Sequence, residues 1–280
     1  MHCAKIIMKF LLLAVCSHAV QAEDKTYSFG VLNQRSITLT AQYWNPILKY
    51  VGEKSGTALD LKMGKTAPET SAMIGRGKFD FVYGNVVFTP ANAPAGYRVF
   101  ARPAGEPVQG QIVALEDSPV RTLKDLEGRE VGFPSEIAPL AYSMPMDALL
   151  RAGIKVTPVF AGNQEGIMGQ LKAGRVIAAG VHSEVMRGYA QREGLRYRVL
   201  WASGDYLELP VSAHPRVPKE VVRAVGESFL SMAKDPEGIK ILAASAALIK
   251  QSTPLGFVPA ENREYENFIK HFKTTMVKGL

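Results

Sequence analysis

The chain has 280 residues, of which 47% are hydrophobic and 21% are charged, a composition that excludes disordered, collagen-like and low-complexity polymers. Lys and Arg number 33 against 26 Asp and Glu, and without Lys5 and Lys9, which we place in a cleaved segment, the net charge becomes +5. Basic residues never form a run of five or six. The charge therefore argues against a nucleic-acid-binding arm and is compatible with attraction of small anions.

Residues 1–22 have the pattern of a secretory signal peptide. Two lysines precede the apolar run 10–15, and residues 20–22 offer a small-residue cleavage site before Glu23. The apolar run is far shorter than the roughly 20 residues of a membrane span. We predict cleavage near Glu23 and export to the periplasm. A buried N-terminal helix, or a lipoprotein attached through Cys16, is the alternative.

No cysteine and only three histidines lie after the predicted signal peptide. Both cysteines, Cys3 and Cys16, lie within it, which excludes cysteine nucleophiles, zinc-binding cysteine pairs and disulfides from the exported part. His182 and Glu184 lie two apart with no third ligand near in sequence, so we interpret them as polar loop residues. Phosphate-loop, nucleophile-elbow and HExxH motifs are absent. The sequence thus predicts no enzyme, no metal and no cofactor.

Strand and helix patterns alternate through the first half. They predict a strand at 27–31, a helix with apolar residues from Leu39 to Val51 that stops at Gly56, a strand at 59–63, a helix capped by Thr66 that ends near Gly75, and a strand at 79–82. The last strand delivers Tyr83, Gly84 and Asn85 to its carboxyl end. Open α/β sheets bind ligands at such ends, so this is the first candidate site segment.

A Pro- and Gly-containing segment, 103–110, separates the extended stretches 99–102 and 111–115 and predicts a crossing between two lobes. The second series is a short helix after Thr122, strands at 130–133, 156–160, 176–181 and 197–201, and helices at 139–152, 166–172 and 183–193.

The return crossing lies at 210–213, and helices follow at 218–233, 236–247 and 261–276. The last helix places Tyr265, Phe268, Ile269, Phe272 and Met276 on one apolar face. We therefore predict one lobe from residues 23–104 and 210–280 and a second lobe from residues 105–209.

Several segments share the order and spacing of one protein family. They are Phe29-Gly30-Val31 with Gln34, Trp44 to Tyr50, Gly77 to Phe81, Leu123 to Arg129, Phe133-Pro134-Ser135, Leu149 to Ile154, and Gly256-Phe257 with Tyr265. Together they resemble the phosphate, phosphite or phosphonate binding proteins of ABC importers over nearly the whole exported chain. The resemblance implies a type II periplasmic binding protein: two α/β lobes, each a mixed sheet flanked by helices, that are joined by two crossings and close on a ligand.

The resemblance also implies that hydroxyls and backbone amides at helix N-termini hold the oxyanion of the ligand. Ser135 precedes the helix near Pro139, and Ser36 precedes the helix near Thr38. The alternative for each serine is a plain helix cap.

The chain also departs from the family pattern. Ser135-Glu136-Ile137 stands where many members continue with several hydroxyl residues, and Gln164 stands after Asn163 where many have His. Near the second crossing, where many members have an acid, this chain has Glu208-Leu209-Pro210. Gln164 can still donate to an oxyanion, although a neutral donor makes a weaker bond than a charged one. The ligand therefore need not be a phosphonate.

Aromatic and cationic residues complete the predicted site. Tyr43, Trp44 and Tyr83 are candidates for lining the cleft, and Arg35 is a candidate clamp for phosphoryl oxygens. For Tyr43, which falls on the apolar stripe of its helix, core packing is the alternative. For Trp44 it is packing on a neighbouring helix, and for Arg35 it is a solvated loop charge.

These features lead to two hypotheses. The first is an extracytoplasmic solute-binding protein that captures a small oxyanion by lobe closure and delivers it to the membrane permease of an ABC importer. The second is a ligand-sensing periplasmic adaptor that presents its closed form to a membrane signalling protein. A periplasmic enzyme of the same fold is the least favoured.

Overall fold

The computed structural model describes residues 25–251 and 256–279, so the predicted signal peptide lies outside the described residues. The strands are β1 (Tyr27–Val31), β2 (Leu59–Lys62), β3 (Phe81–Tyr83), β4 (Arg98–Pro103), β5 (Gly110–Leu115), β6 (Glu130–Phe133), β7 (Thr157–Phe160), β8 (Ala179–His182), β9 (Tyr197–Ala202), β10 (Val211–Ala213) and β11 (Phe257–Pro259). The α-helices are α1 (Ile37–Ser55), α2 (Ala67–Gly75), α3 (Met144–Arg151), α4 (Gln164–Lys172), α5 (Ser183–Glu193), α6 (Lys219–Ser231), α7 (Pro236–Ile249) and α8 (Glu266–Thr274).

The strands form two sheets, with the orders β11-β4-β10-β3-β1-β2 and β7-β6-β8-β5-β9. In the first sheet, β1 pairs in parallel with β2 and β3, whereas β10 pairs antiparallel with β3 and β4. In the second, β6 pairs in parallel with β7 and β8, whereas β5 pairs antiparallel with β8 and β9. Both sheets are mixed and flanked by helices, which confirms the predicted α/β class.

The chain leaves the six-stranded sheet after β4, builds the five-stranded sheet from β5 to β9, and returns at β10. We call the half built on the six-stranded sheet the first lobe and the half built on the five-stranded sheet the second lobe. The two crossings pair through Val108 and Tyr206, whose N–H groups donate to each other's carbonyl oxygens at 2.7 and 2.9 Å. The two-crossing route is as expected, and the boundary residues of the lobes stay a prediction.

Each lobe buries its own core. Phe29, Phe81 and Phe229 are fully buried at the centre of the first lobe. The second lobe has two buried clusters, and the neighbours Ile112 and Val113 on β5 belong to different ones. Successive side chains of a strand point to opposite faces of its sheet, so both faces of the five-stranded sheet are covered.

Local signals in the sequence explain most element ends. Helix α1 begins after Ser36, whose Oγ accepts from the Leu39 N–H at 3.3 Å, and it ends at Gly56 with a left-handed φ of 65°. Glycine favours that φ because it has no Cβ. Thr66 caps α2 by accepting from the N–H of Glu69, as predicted. These ends depend on contacts within a few residues, so the sequence alone identifies them.

Two predicted helices are wrong in part. The helix predicted at 139–152 begins as a π-helical turn, Pro139–Ser143, and becomes α-helical only in α3. Pro145 has no N–H to donate to the carbonyl four residues earlier, which interrupts the α-helical hydrogen bonds there. The helix predicted at 261–276 begins with a 3₁₀ turn and ends at Thr274, before Met276. Ile269, within α8, and Met276, beyond its end, are both exposed, so the predicted apolar face does not include them.

Two strands also differ from the prediction. The strand predicted at 176–181 is β8, which begins at Ala179 and runs through His182. The three-residue strand β11 has no counterpart in the prediction. It pairs with β4 across more than 150 residues of sequence, and such a short strand depends on its partner rather than on its own pattern.

Candidate ligand-binding site between the two lobes

The ends of four strands meet between the lobes. Gln34 and Arg35 follow β1, Asn85 follows β3, Ser135 follows β6, and His182 ends β8. Within each lobe the two strands concerned run in parallel, directly for β1 with β3 and for β6 with β8. Their carboxyl ends therefore lie at the same sheet edge, which is where such sheets bind ligands.

Gln34, Asn85, Ser135 and His182 line a cavity of about 30 Å³. That is room for about two water molecules, given the 10–15 Å³ that one water occupies on this measure. Both lobes contribute walls to it. The lining residues are Leu32, Asn33, Gln34, Ala67, Asn85, Pro134, Ser135, Ile137, Ala138, Pro139, Leu140, Ala141, Gln164, His182 and Leu209.

Buried polar atoms without a partner mark this cavity. Asn85 Oδ1, Ser135 Oγ and His182 Nδ1 are buried, and none makes a hydrogen bond within the described ranges 25–251 and 256–279. A buried polar group without a hydrogen bond costs roughly 1–3 kcal/mol. Three such side chains around one cavity indicate a site that a polar ligand completes.

Polar groups of Gln164, His182 and Glu208 contact one another beside the cavity. The N–H of His182 donates to Gln164 Oε1 at 2.9 Å, so the NH₂ group of Gln164 is left to donate elsewhere. His182 Nε2 lies 3.5 Å from Glu208 Oε1, which also accepts from the Leu209 N–H at 2.9 Å. Burial raises the pKa of Glu208, but His182, the Leu209 amide and the Arg35 charge outweigh burial and hold that pKa below its ordinary value. Glu208 is therefore an anion behind the imidazole.

A second, smaller cavity of about 10 Å³ lies beside the first and shares Leu32 and Gln34 with it. Its walls include Arg35, Tyr43 and Tyr83. Burial raises the pKa of Tyr43 to about 12 and raises the pKa of Tyr83 well above its ordinary value. Both phenols therefore keep their protons at neutral pH and can donate hydrogen bonds.

Arg35 is half-buried beside the smaller cavity. Its Nε is buried and has no hydrogen-bond partner among the residues that the structure describes. Trp44 also lines the smaller cavity, but it is 4% exposed and packs its ring on Phe29 and Tyr83, with centroids 5.4 and 4.6 Å apart. Core packing thus accounts for Trp44, whereas the half-buried Tyr43 lies at the edge of the core.

Ser36 and Asn163, two of the predicted site residues, line neither cavity. Ser36 is exposed and caps α1, and Asn163 caps α4 by accepting from the N–H of Gly166 at 2.8 Å. Their side-chain contacts are those of helix caps. The five other predicted residues, Arg35, Tyr43, Tyr83, Ser135 and Gln164, lie around the two cavities.

Sequence reasoning missed His182. We interpreted it as loop polarity, but it is the last residue of β8 and is 1% exposed, so that interpretation is wrong. A signal was available, because a polar residue at the carboxyl end of a buried strand is the same pattern that selected the segment Tyr83 to Asn85. Glu184, its predicted companion, pairs instead with Arg187 on α5.

Bonds between the lobes surround the site. The Ala67 N–H, at the start of α2, donates to the Gly162 carbonyl at 3.2 Å, and the Ser36 N–H donates to Glu165 Oε2 at 3.2 Å. The lobes are therefore in contact at the mouth of the cleft. Nowhere in residues 25–251 or 256–279 is there a helix long and apolar enough to cross a membrane, and no group of three or more metal-ligating side chains occurs in those ranges.

Three solved structures of similar fold share 14–17% sequence identity with this chain. A binding protein component of an ABC phosphonate transporter from Pseudomonas aeruginosa has a TM-score of 0.75 at 17% identity, covering 89% of this chain and 86% of its own. PhnD1 from Prochlorococcus marinus, in complex with methylphosphonate, has a TM-score of 0.75 at 14% identity, covering 89% and 98%. The aliphatic sulphonate binding protein SsuA from Escherichia coli has a TM-score of 0.57 at 17% identity, covering 89% and 91%. These likenesses establish the type II periplasmic binding protein fold.

A family model supplies the remaining evidence. No curated protein matches the sequence. The model that describes the periplasmic phosphonate substrate-binding protein of ABC transporters matches residues 29–265. Proteins of that description bind a solute and deliver it to a membrane permease, and the description names no enzyme. It gives no support to the alternative of a ligand-sensing adaptor. The chain therefore belongs to the family of periplasmic substrate-binding proteins of ABC phosphonate transporters.

Proposed function

We propose that the protein captures a small oxyanion of the phosphonate, phosphite or phosphate type between its lobes. The observation that carries this proposal is the set of buried, unpartnered polar atoms of Asn85, Ser135 and His182 around one cavity. Ser135 and His182 can donate to an anionic oxygen, and Arg35 adds a positive charge in the adjoining smaller cavity. Lobe closure then supplies contacts from both sides at once.

The mixture of donors and acceptors favours a protonated oxyanion. Asn85 Oδ1 can only accept a hydrogen bond, so it needs a donor on the ligand. A phosphonate or phosphate monoanion has both anionic oxygens and an O–H group, whereas a sulfate or sulfonate has no O–H at neutral pH. We therefore expect methylphosphonate to bind more tightly than methanesulfonate.

The size of the cavity favours a compact ligand. About 30 Å³ leaves little room beyond a single tetrahedral group. A substituent on phosphorus has to extend toward the smaller cavity, where Tyr43 and Tyr83 supply aromatic walls and hydroxyl donors. Small substituents are therefore expected to be accepted before long ones.

A thermal-shift screen tests the proposal. The probes are phosphate, phosphite, methylphosphonate, methanesulfonate, sulfate and arginine, each with the wild-type exported chain. A ligand present at 100 times its dissociation constant adds about 2.7 kcal/mol of stability, which raises the melting temperature by several degrees. A shift with arginine and none with any phosphorus oxyanion would contradict the proposed ligand class while leaving the family assignment intact.

A further inference from the structure

An ion pair of the second lobe lies between the ends of two helices of the first lobe. Glu165, in the first turn of α4, pairs through Oε1 with Arg192, in the last turn of α5. Both side chains are largely buried, at 16% and 18% exposure. Glu165 Oε2 accepts from the Ser36 N–H at 3.2 Å, so the carboxylate lies at the N-terminus of α1.

Arg192, the other member of the ion pair, lies at a helix C-terminus. Arg192 Nη1 lies 3.5 Å from the carbonyl oxygen of Ile249, the last residue of α7. Helix N-termini favour anions and helix C-termini favour cations. The carboxylate and the guanidinium therefore each lie at the helix end that stabilises their charge.

Close packing accompanies these contacts. Gly188 on α5 lies so near Ile249 that a Cβ atom added to it would stand 2.4 Å from the Ile249 carbonyl oxygen. Real Cβ atoms do not approach backbone oxygen this closely, so any larger residue must move α5 away from α7. The two lobes thus touch at a second point that has no room for a side chain.

We propose that the Glu165–Arg192 pair is a latch that holds the two lobes together without a solute. The carboxylate occupies the N-terminus of α1, a position where a helix could bind an external anion. The oxyanion of a solute is then left to the donors around the cavity between the lobes. This proposal shares one assumption with the proposed function, namely that the lobes open and close. It does not depend on which solute binds.

Ligand-free scattering with matched variants tests the latch. Glu165→Gln removes the charge from both contacts, and Gly188→Ala forces α5 from α7 without changing any charge. Glu193→Gln is the control for the first, because Glu193 pairs with Lys172 at 2.6 Å and joins the same two helices within the second lobe. Gly169→Ala is the control for the second, because the nearest atom to its added Cβ is Tyr189 Oη at 3.6 Å.

We expect Glu165→Gln to lower the ratio of closed to open molecules about fivefold or more. The radius of gyration of the solute-free protein should increase in Glu165→Gln and Gly188→Ala, with an unchanged circular dichroism spectrum, and should stay at the wild-type value in both controls. Equal radii in the wild type and both latch variants, with all proteins folded, would overturn the latch. Because no solute is present, this result is separate from any outcome of the ligand screen.

Discussion

His182 Nε2 and Glu208 Oε1 lie 3.5 Å apart in the cleft, one at the end of β8 and the other on the return crossing. The pair therefore joins the second lobe to the crossing that leads back to the first. Glu208 is ionised in this setting, because its neighbours lower its pKa more than burial raises it. The cleft thus contains an anion of its own beside the donors proposed for the solute.

Changing Glu208 to Gln should lower the free energy of unfolding at pH 7 by roughly 1–3 kcal/mol, because His182 and the Leu209 amide lose a charged acceptor. A carboxylate with a lowered pKa in the folded state stabilises the protein fully above its unfolded pKa of about 4.3, and this contribution is lost as the pH falls through the lower folded value. Urea unfolding at pH 7 and pH 3.5 measures it. The difference in the free energy of unfolding between the wild type and Glu208→Gln should be smaller at pH 3.5 than at pH 7.

Glu53→Gln is a suitable control for that series, because Glu53 makes only an exposed ion pair with Lys49 at 3.9 Å. Such pairs contribute between about 0 and 1 kcal/mol. A gap for Glu208→Gln that stays constant or widens in acid would contradict the ionised state of Glu208.

Ser135→Ala and Ser212→Ala separate a ligand role from a packing role. Both serines are buried, and the Oγ of each lacks a hydrogen-bond partner in the described part of the chain, but only Ser135 lines the cavity. Neither change removes a protein hydrogen bond, so both should alter stability little. Titration calorimetry with the ligand found by screening should show affinity weakened by about 1–3 kcal/mol for Ser135→Ala alone. Equal affinities for the two variants would remove Ser135 from the site.

His271 on α8 gives the protein a pH dependence near neutrality. Its Nε2 lies 2.6 Å from Ser143 Oγ of the second lobe, and burial lowers the pKa of His271 below its ordinary value. A histidine with a lowered pKa contributes stability that is present above about pH 6.5 and is lost as the pH falls below it. Between pH 7.5 and 5.5 the melting temperature of the wild type should therefore fall more than that of His271→Gln. Parallel falls for the two proteins would count against this assignment.

The N-terminus of the exported protein remains a prediction from residues 1–22. We expect mature material from the native host to begin at or near Glu23, because the small residues 20–22 end the signal pattern. Intact-mass measurement of periplasmic protein checks this. Retention of Met1, or a lipid on Cys16, would show a different fate for the segment.

Most of the fold could be predicted because its signals are local. Strand β6 and helix α5 have the predicted bounds, since Gly128 and Pro134 flank the strand and Gly194 ends the helix. The π-helical turn before α3 and the short strand β11 could not be predicted. The first depends on how Pro145 interrupts a helix in its tertiary setting, and the second on a partner strand far away in sequence.

Site residues could be predicted only where a residue type suited to ligand binding stood at a position expected to face the ligand. Ser135 and Gln164 lie at the cavity as expected from the order of strands and helices. His182 was missed because its strand was predicted to end one residue early, which moved it into a loop. Glu165 carried no signal, because its contacts with Ser36 and Arg192 join parts of the chain that no sequence pattern brings together.

The pairing of Val108 with Tyr206 makes the second lobe an insertion whose two ends are side by side. The buried clusters of this lobe draw their members from residues 112–189 alone. A segment with adjacent ends and its own core can be cut out or exchanged with little cost in loop closure. The segment from β5 to β9 is therefore a natural unit for grafting between related receptors, so that one half of a cleft could be replaced while the other half is retained.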